Sequence, residues 1–198
     1  MSDLGLVDVI IWLEDVLESL RLERSYGGAI AYNYYGPPRL TQDVDILVLM
    51  RDVKTPALVD AFRRAGCLHG DRDPRPAELG AVLADFRSAT HFAVFQHGGV
   101  RIEMFVPWHP FHHRVLERSP ARDLEGRRIR IHAPEDLIIF KKVFDRPKDI
   151  GDIKAMLMAQ HGKLDLARLH ADAATLLSAE SYGELESLIA EYARPPGP

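Results

Sequence analysis

Apolar residues recur at helical spacing near the start of the chain and throughout its last third. From Leu4 to Leu22 they lie three or four positions apart, and the same period returns from Pro134 almost to the end. This spacing predicts an amphipathic first helix and a helical C-terminal part. Between these regions, shorter apolar segments alternate with polar turns, which is typical of strands and connecting helices. The pattern therefore favours a sheet combined with helices.

The clearest strand prediction falls on residues 44–50, a nearly continuous apolar run that is interrupted by Asp45. Its β-branched residues predict a central strand that is buried on both faces. The segments 90–96 and 100–106 flank a turn that contains two glycines, and they predict a β-hairpin. Residues 128–132 alternate between polar and apolar side chains and predict one more strand.

Length and periodicity together suggest how the chain is organised. Its 198 residues suit one domain with a helical extension. We expect residues 1–133 to form the core and residues 134–194 to form a helical part that packs on it. The Pro- and Gly-rich residues 195–198 are expected to be a disordered tail.

Composition narrows the compartment and the partners. The single Cys67 excludes an intramolecular disulfide and favours a reducing compartment. No basic-then-apolar leader and no apolar run of about 20 residues is present, so a cytoplasmic protein without a membrane segment is expected. A net charge of −4 argues against broad nucleic-acid binding. Local arginine clusters at 63–64 and 127–130 could still contact phosphates.

Asp43 and Asp45 stand two positions apart at the start of the predicted central strand. On a strand, such side chains project from the same face about 7 Å apart, while Val44 enters the core. Because two like charges so close repel each other, a cation is expected between them. Carboxylate oxygens suit Mg²⁺, or Mn²⁺ in its place. The pair therefore predicts a divalent-metal site, which a second ion could join to activate an attacking hydroxyl.

Gly27 and Gly28 lie between the first helix and this aspartate pair. Glycines have no Cβ atom, so backbone N–H groups can approach phosphate oxygens beside the start of the next predicted helix. The ordinary alternative for such a pair is a cap that ends the first helix. Taken with the aspartates, the glycines predict a site for the phosphates of a nucleoside triphosphate.

These residues resemble the polymerase-β-like nucleotidyltransferase superfamily, whose motif is Gly-Gly, a spacer and Asp-x-Asp. The closer resemblance is to AbiEii-type nucleotidyltransferases, which occur in bacterial toxin–antitoxin and phage-defence systems. It extends over about residues 25 to 155 and is carried by the following segments: Gly27-Gly28-Ala29, Tyr35-Gly36, Arg39-Leu40-Thr41, Asp43-Val44-Asp45-Ile46, Pro134-Glu135-Asp136-Leu137, Lys141, Asp149 and Asp152.

The resemblance implies a fold and an activity. The fold would be an α/β (α+β) nucleotidyltransferase fold, with a mixed, mostly antiparallel sheet flanked by helices. The activity would be transfer of a nucleoside monophosphate from a nucleoside triphosphate to an acceptor, with tRNA or a protein as the expected acceptor. A cognate partner protein is a further expectation.

The resemblance also places a third metal-binding carboxylate on a later strand, where Glu103 stands and the family commonly has Asp. Glu103 is on the strand face opposite Ile102 and Met104. A metal ligand at this position would complete the site and help to activate the acceptor. The alternative is a solvated residue that pairs with Arg101.

The remaining candidate residues would bind the nucleotide. Lys141 falls on the core-facing side of its helix, where a lysine needs a phosphate or a carboxylate as partner. Arg39 and Thr41 would assist it. Asp149 and Asp152 share a helix face and could position Lys141 or bind the sugar, unless they are first-turn acids that the helix dipole favours.

Three further features favour ordinary structural roles. Lys142 is expected to face solvent. The spacing of His109, His112 and His113 would suit a transition metal on a helix, but no carboxylate or cysteine completes a ligand set, so exposed histidines are expected. Tyr32, Tyr34 and Tyr35 could stack on a base, but core packing beside the sheet is expected for them.

Two rival functions remain open. The replacement of Asp by Glu103 favours a catalytically silent relative that binds a nucleotide or a partner protein in an antitoxin-like, regulatory role. The second rival function is that of an aminoglycoside-type nucleotidyltransferase. An acidic surface around the acceptor would favour that reading, and a basic surface would favour RNA.

Overall fold

The structure of the chain is a computed structural model that describes residues 4–193, and these residues form two compact units. The first unit comprises residues 4–30 and 40–131, and the second comprises residues 31–39 and 132–193. The predicted packing of a helical part on a core stays a prediction. The predicted disordered tail, residues 195–198, lies outside the described residues.

The first unit is a sheet with flanking helices. Its strands are β1 (Arg24–Tyr26), β2 (Asp43–Val48), β3 (Leu68–His69), β4 (Arg75–Pro76), β5 (Phe92–His97), β6 (Val100–Phe105), β7 (Ala121–Leu124) and β8 (Arg127–Arg130). Its helices are α1 (Leu6–Ser19), α3 (Thr55–Arg64), α4 (Leu79–Phe86) and α5 (Pro110–Arg118), with a 3₁₀ turn at Asp52–Lys54. The short helix α2 (Gly28–Tyr32) runs from the first unit into the second.

The main sheet has six strands among residues 4–193, in the order β1-β2-β6-β5-β3-β4. Within it, β2 and β6 pair in parallel, and the other neighbours pair antiparallel. The predicted mixed, mostly antiparallel sheet is therefore confirmed. Strands β7 and β8 form a separate two-stranded ladder.

The predicted central strand is β2, which lies between β1 and β6. In its second half, Ile46, Leu47 and Val48 are all at most 3% exposed, so both faces are covered there. In its first half, only Val44 is buried, while Asp43 is exposed and Asp45 is partly exposed. The N-terminal end of β2 is thus open and carries the acidic side chains, whereas its C-terminal end is buried.

The predicted hairpin is also present. Strands β5 and β6 pair from Phe92 opposite Phe105 to His97 opposite Val100. The turn between them uses Gly98 and Gly99, both with positive φ, at 54° and 82°. Such backbone angles favour glycine, so the glycine pair fixes the position of the turn and with it the register of β6.

The second unit is helical. Its helices are α6 (Pro134–Phe144), α7 (Pro147–Ala159), α8 (Leu166–Leu176) and α9 (Ala179–Tyr192). Helix α6 contacts α7 and α8, and α9 also contacts both of these helices. No helix among residues 4–193 combines the length and the apolar character that crossing a membrane requires.

Candidate active site

Gly27 and Gly28, called the glycine corner below, lie directly against Asp45 of the aspartate pair. The backbone N–H of Gly27 donates a hydrogen bond of 2.8 Å to the backbone carbonyl of Asp45. Gly28 has φ of +50°, and a Cβ atom on it would lie 1.8 Å from Oδ2 of Asp45. Only glycine fits a gap of this size, so two segments that are separated in sequence meet at one carboxylate.

Three carboxylates share one face of the sheet. Asp43 and Asp45 are two residues apart on β2, and the parallel pairing places Arg101 beside Asp43 and Glu103 beside Asp45. The intervening Val44 is completely buried. Because neighbouring residues in register project to the same side, the aspartates, Arg101 and Glu103 form a continuous polar surface.

Glu103 is already paired within this surface. Nη1 of Arg101 donates to Oε1 of Glu103, and Nε of Arg101 donates to Oδ1 of Asp71 at 2.9 Å. The sequence analysis gave pairing with Arg101 as the alternative role of Glu103, and the structure contains this contact. Oε2 of Glu103 makes no hydrogen bond or ion pair within residues 4–193. One oxygen of this carboxylate thus carries the contact with the guanidinium.

The aspartate pair fits a hard divalent cation in its chemistry. Its carboxylates lie on one face of β2, and Gly28, which has no Cβ atom, lies against Oδ2 of Asp45. Within the described part of the chain, however, no group of three or more His, Cys, Asp or Glu side chains is arranged to hold a metal ion. Asp43 and Asp45 have the ligand chemistry for such an ion, and one oxygen of Glu103 is paired with Arg101.

Thr41 shapes the approach to this strand. Its hydroxyl oxygen accepts a hydrogen bond of 3.2 Å from the backbone N–H of Asp43. This local turn fixes the residue that starts β2. Thr41 thus acts on Asp43 through the backbone in this structure.

Lys141, Asp149 and Asp152 meet in the second unit. Lys141 is 4% exposed, and its Nζ lies 2.5 Å from Oδ2 of Asp152 and 3.7 Å from Oδ1 of Asp149. Arg39 also reaches Oδ2 of Asp152, at 3.2 Å, and Arg146 donates to Asp149 at 2.5 Å. Three cations therefore surround two buried carboxylates, which satisfies the need of Lys141 for a charged partner.

Tyr32 completes this cluster, and its participation was not apparent from the sequence. Its ring centroid lies 5.6 Å from the guanidinium carbon of Arg39 and 5.3 Å from Nζ of Lys141. Burial raises the pKa of Tyr32, the Asp152 carboxylate raises it further, and Arg39 opposes the change. At 4% exposure the ring packs in the core, as expected.

The expectation for Lys142 was wrong. This lysine is 2% exposed, and its Nζ lies 2.7 Å from Asp145 and 2.5 Å from Glu184. Burial alone would lower the pKa of Lys142, but the hydrogen bonds to the two carboxylates outweigh it and raise the pKa. Helix α9 supplies Glu184, so a partner 42 residues away makes burial of the charge acceptable.

The histidine group divides between buried and exposed positions. His112 is 7% exposed, and its Nδ1 accepts a hydrogen bond from the backbone N–H of Trp108. Burial first, and then the neighbouring histidines, lower the pKa of His112 to about 4. His113 is exposed, as expected. Nδ1 of His109 accepts from the N–H of Phe111 and caps α5, so these ring nitrogens have structural partners.

Comparison with known proteins places this geometry in a fold class. No protein-family model matches the chain, and no curated protein matches it. The match to the solution structure of the antibiotic-resistance factor ANT(2'')-Ia covers 94% of this chain and 90% of the ANT(2'')-Ia chain, with 17% identity and a TM-score of 0.51. The match to the crystal structure of ANT(2'')-Ia in complex with adenylyl-2''-tobramycin covers 94% of this chain and 95% of that chain, with 16% identity and a TM-score of 0.51.

A third solved structure agrees. An antigenic nucleotidyltransferase-like protein from Paracoccidioides brasiliensis matches 93% of this chain over 92% of its own, with 17% identity and a TM-score of 0.50. At these identities the likeness establishes the fold. The chain therefore has the nucleotidyltransferase fold, which confirms the predicted fold class.

Proposed function

We propose that this chain is a metal-dependent nucleotidyltransferase that moves a nucleoside monophosphate from a nucleoside triphosphate to an acceptor. The observation that carries the proposal is the contact between Gly28 and Asp45, where a Cβ atom would lie 1.8 Å from the carboxylate oxygen. This contact supports the proposal because it brings a backbone that could approach phosphate oxygens next to a carboxylate that could hold a metal ion.

In this proposal, Asp43 and Asp45 hold Mg²⁺ or Mn²⁺. The bound cation would neutralise charge on the triphosphate and on the departing pyrophosphate. The backbone of Gly28, which has no Cβ atom, would approach the phosphate oxygens beside the Asp45 carboxylate. Glu103 would take the proton of the acceptor hydroxyl through its free oxygen, Oε2, while Arg101 holds the other oxygen.

The nucleotide-binding roles of Lys141 and Arg39 are part of the same proposal. Both cations contact Asp152, and Asp149 keeps a second carboxylate near Lys141. The two aspartates would therefore fix the cations in place, and a nucleotide phosphate would have to attract them more strongly than Asp152 does. Thr41 would contribute through the turn that it forms with Asp43.

The class of acceptor separates two candidate functions. The AbiEii-type motifs support tRNA or a protein as acceptor, with a role in a toxin–antitoxin or defence system, a cognate partner protein and a cytoplasmic location. The charge of the polar surface supports a cationic small molecule instead, since the guanidinium of Arg101 contacts the carboxylates of Asp71 and Glu103, and Asp43 and Asp45 lie on the neighbouring strand. A fold relative in complex with adenylyl-2''-tobramycin agrees with this second candidate.

Labelled transfer tests both candidates in one experiment. Each α-³²P-labelled nucleoside triphosphate is incubated with the protein, Mg²⁺ and one acceptor pool: total tRNA, a protein extract or a set of aminoglycosides. Labelled product names the base and the acceptor class, and Asp43→Ala should abolish it. Unchanged pyrophosphate release in this variant would refute the assignment of the site.

A catalytically silent relative is the remaining alternative, and the Arg101–Glu103 ion pair favours it. The same experiment decides the question. Mg²⁺-dependent nucleotide binding without product in any acceptor pool would support the silent relative over the transferase.

A further inference from the structure

A cavity of about 400 Å³ lies in the first unit, where the turn between α1 and β1 meets the end of α5 and strand β8. Arg24 on its wall pairs with Val48 at the end of β2, whereas Asp43 begins that strand, about 16 Å away at the usual rise per strand residue. The cavity is therefore separate from the candidate active site. Its charged lining consists of three arginines and two glutamates: Arg21, Arg24, Arg130, Glu23 and Glu117.

Arg130 presents unused hydrogen-bond donors at this cavity. Its Nη2 donates to the backbone carbonyls of Leu116 and Glu117, at 2.8 and 3.1 Å, and these carbonyls hold the guanidinium at the last turn of α5. Its Nε and Nη1 make no hydrogen bond or ion pair with residues 4–193. Because the carbonyls carry no net charge, Arg130 keeps its positive charge beside the cavity.

Arg24 is oriented by a buried carboxylate. Its Nε and Nη2 donate to Oε1 of Glu14, at 3.0 and 2.6 Å, and its Nη1 donates to the carbonyl of Leu22 at 3.1 Å. Glu14 is 2% exposed, so this partner is held firmly. A guanidinium has five N–H donors, so one on each terminal nitrogen remains. Arg24 therefore offers fixed donors, while Glu14 balances its charge.

Arg21 occupies a backbone position that favours glycine. It follows the C-cap of α1 with φ of 53°. The N–H of Leu22 donates to Leu17, and that of Arg21 donates to Glu18, which are the two bonds of a Schellman motif. A Cβ atom costs stability at this φ. The exposed side chain makes no hydrogen bond or ion pair with residues 4–193 in return. Such a position points to a role in binding.

The two glutamates leave the preference for an anion in place. Glu23 and Glu117 are exposed, and neither side chain makes a hydrogen bond or ion pair within the described part of the chain. They can rotate into solvent, where water and salt screen their charge. Arg24 and Arg130 are held in position instead. The fixed groups are therefore N–H donors, which an anion with several oxygens can accept from at once.

We propose that this cavity binds a phosphate group, either the free ion or the phosphate of a small ester, between the fixed donors of Arg24 and Arg130 and the exposed cation of Arg21. The cavity has the volume of a small-molecule site, for which about 300–1,000 Å³ is usual. The hydroxyl groups of an ester can donate to Glu23 and Glu117. The site is independent of the proposed transfer reaction, since its residues lie outside the candidate active site.

Isothermal titration calorimetry of the full chain tests the proposal. The probes are inorganic phosphate and ribose 5-phosphate, each in magnesium-free buffer at constant ionic strength. Wild type should bind both, and Arg130→Gln should weaken the binding by about tenfold, because it removes a charged donor. Tighter binding of ribose 5-phosphate would identify an ester as the ligand, and equal affinities would identify the free ion. No binding of either probe by wild type would overturn the proposal.

Arg21→Gly provides a readout that loss of folding cannot imitate. Glycine relieves the positive φ, so the urea midpoint should rise, while the affinity for phosphate should fall by about threefold. A variant that is more stable and yet binds phosphate less well separates the binding role of Arg21 from its structural cost. Unchanged affinity in both Arg21→Gly and Arg130→Gln would contradict the assignment of the site.

Arg128→Gln is the matched control. Arg128 lies on the same strand as Arg130 and is exposed, but it does not line the cavity. Its replacement removes the same charge and should leave the affinity for phosphate unchanged. Equal weakening in Arg128→Gln and Arg130→Gln would indicate a general effect of surface charge and would refute the site. Asp43→Ala should also retain phosphate binding, so failure of the proposed function is distinguishable from failure of this inference.

Discussion

Replacing Gly28 by alanine should destabilise the protein through two separate effects. The first is backbone strain, since φ of +50° costs a residue with a Cβ atom about 1–2 kcal/mol. The second is overpacking, because the added Cβ atom would lie 1.8 Å from Oδ2, 2.5 Å from Cγ and 3.0 Å from Cβ of Asp45. The whole aspartate side chain must rotate, which typically costs about 1–3 kcal/mol. The expected total loss is about 2–5 kcal/mol.

Gly66 offers a matched control. Its φ is +73°, and nothing lies within 4 Å of a Cβ atom built on it. Gly66→Ala should therefore lose only the backbone term, about 1–2 kcal/mol. Urea unfolding of both variants, followed by circular dichroism, measures the difference between them. That difference is the contribution of the clash with Asp45.

A double variant separates the two terms further. Gly28→Ala combined with Asp45→Ala removes Oδ2 and Cγ, so part of the overpacking should disappear and the two substitutions should not add. The reasoning would be refuted if Gly28→Ala were no less stable than Gly66→Ala. It would also be refuted if the double variant lost the full sum of the two single losses.

Three further predictions follow from buried polar groups. Asp152→Ala should lower the free energy of unfolding in urea by about 3–5 kcal/mol, because it removes the nearest carboxylate from the buried Lys141. Lys141→Met should cost less, since Arg39 still pairs with Asp152. Equal losses for the two variants would contradict this prediction. The pKa of His112 is lowered from 6.5 to about 4, so the unfolded state binds its proton first and stability should decline as the pH falls from about 6.5 to about 4. His112→Asn should flatten that decline, and an unchanged pH profile would count against the buried neutral ring. Burial raises the pKa of the Cys67 thiol to about 12, so a thiol reagent at pH 8 should label it only after unfolding; rapid labelling of the native chain would be the opposite result.

Strong periodic segments could be predicted from the sequence because their signals are local. The apolar run after Asp45 and the glycine turn between β5 and β6 both appear where they were expected. The two-residue strands β3 and β4 and the strand β7 were not predicted. Their residues carry no sustained alternation, and each is ordered by pairing with a partner strand: β3 with β4 and β5, and β7 with β8.

Charged residues were harder to place than apolar ones. The helical period assigned Lys142 to solvent, but α9 brings Glu184 to it and makes its burial acceptable. Arg101 and Glu103 are two residues apart on β6, so their shared strand face could be deduced from the sequence. The contact between Arg101 and Asp71 could not be deduced. The spacing of apolar residues shows on which face of a helix or strand a side chain lies. The free-energy cost of burying its charge depends instead on partners that are remote in sequence.

The sequence by itself determined the central acidic strand and the glycine pair before it, because these follow from side-chain periodicity and from the backbone freedom of glycine. The resemblance of these motifs to nucleotidyltransferases implied the fold class. The tertiary structure alone decided that Gly28 touches Asp45, that Arg101 neutralises Glu103 and that Tyr32 lies between two cations. The physical reason is that electrostatic and steric contacts depend on distances of a few ångströms between segments. The register of strands that are distant in sequence, such as β2 and β6, and the packing of helices fix those distances, and neither is encoded locally.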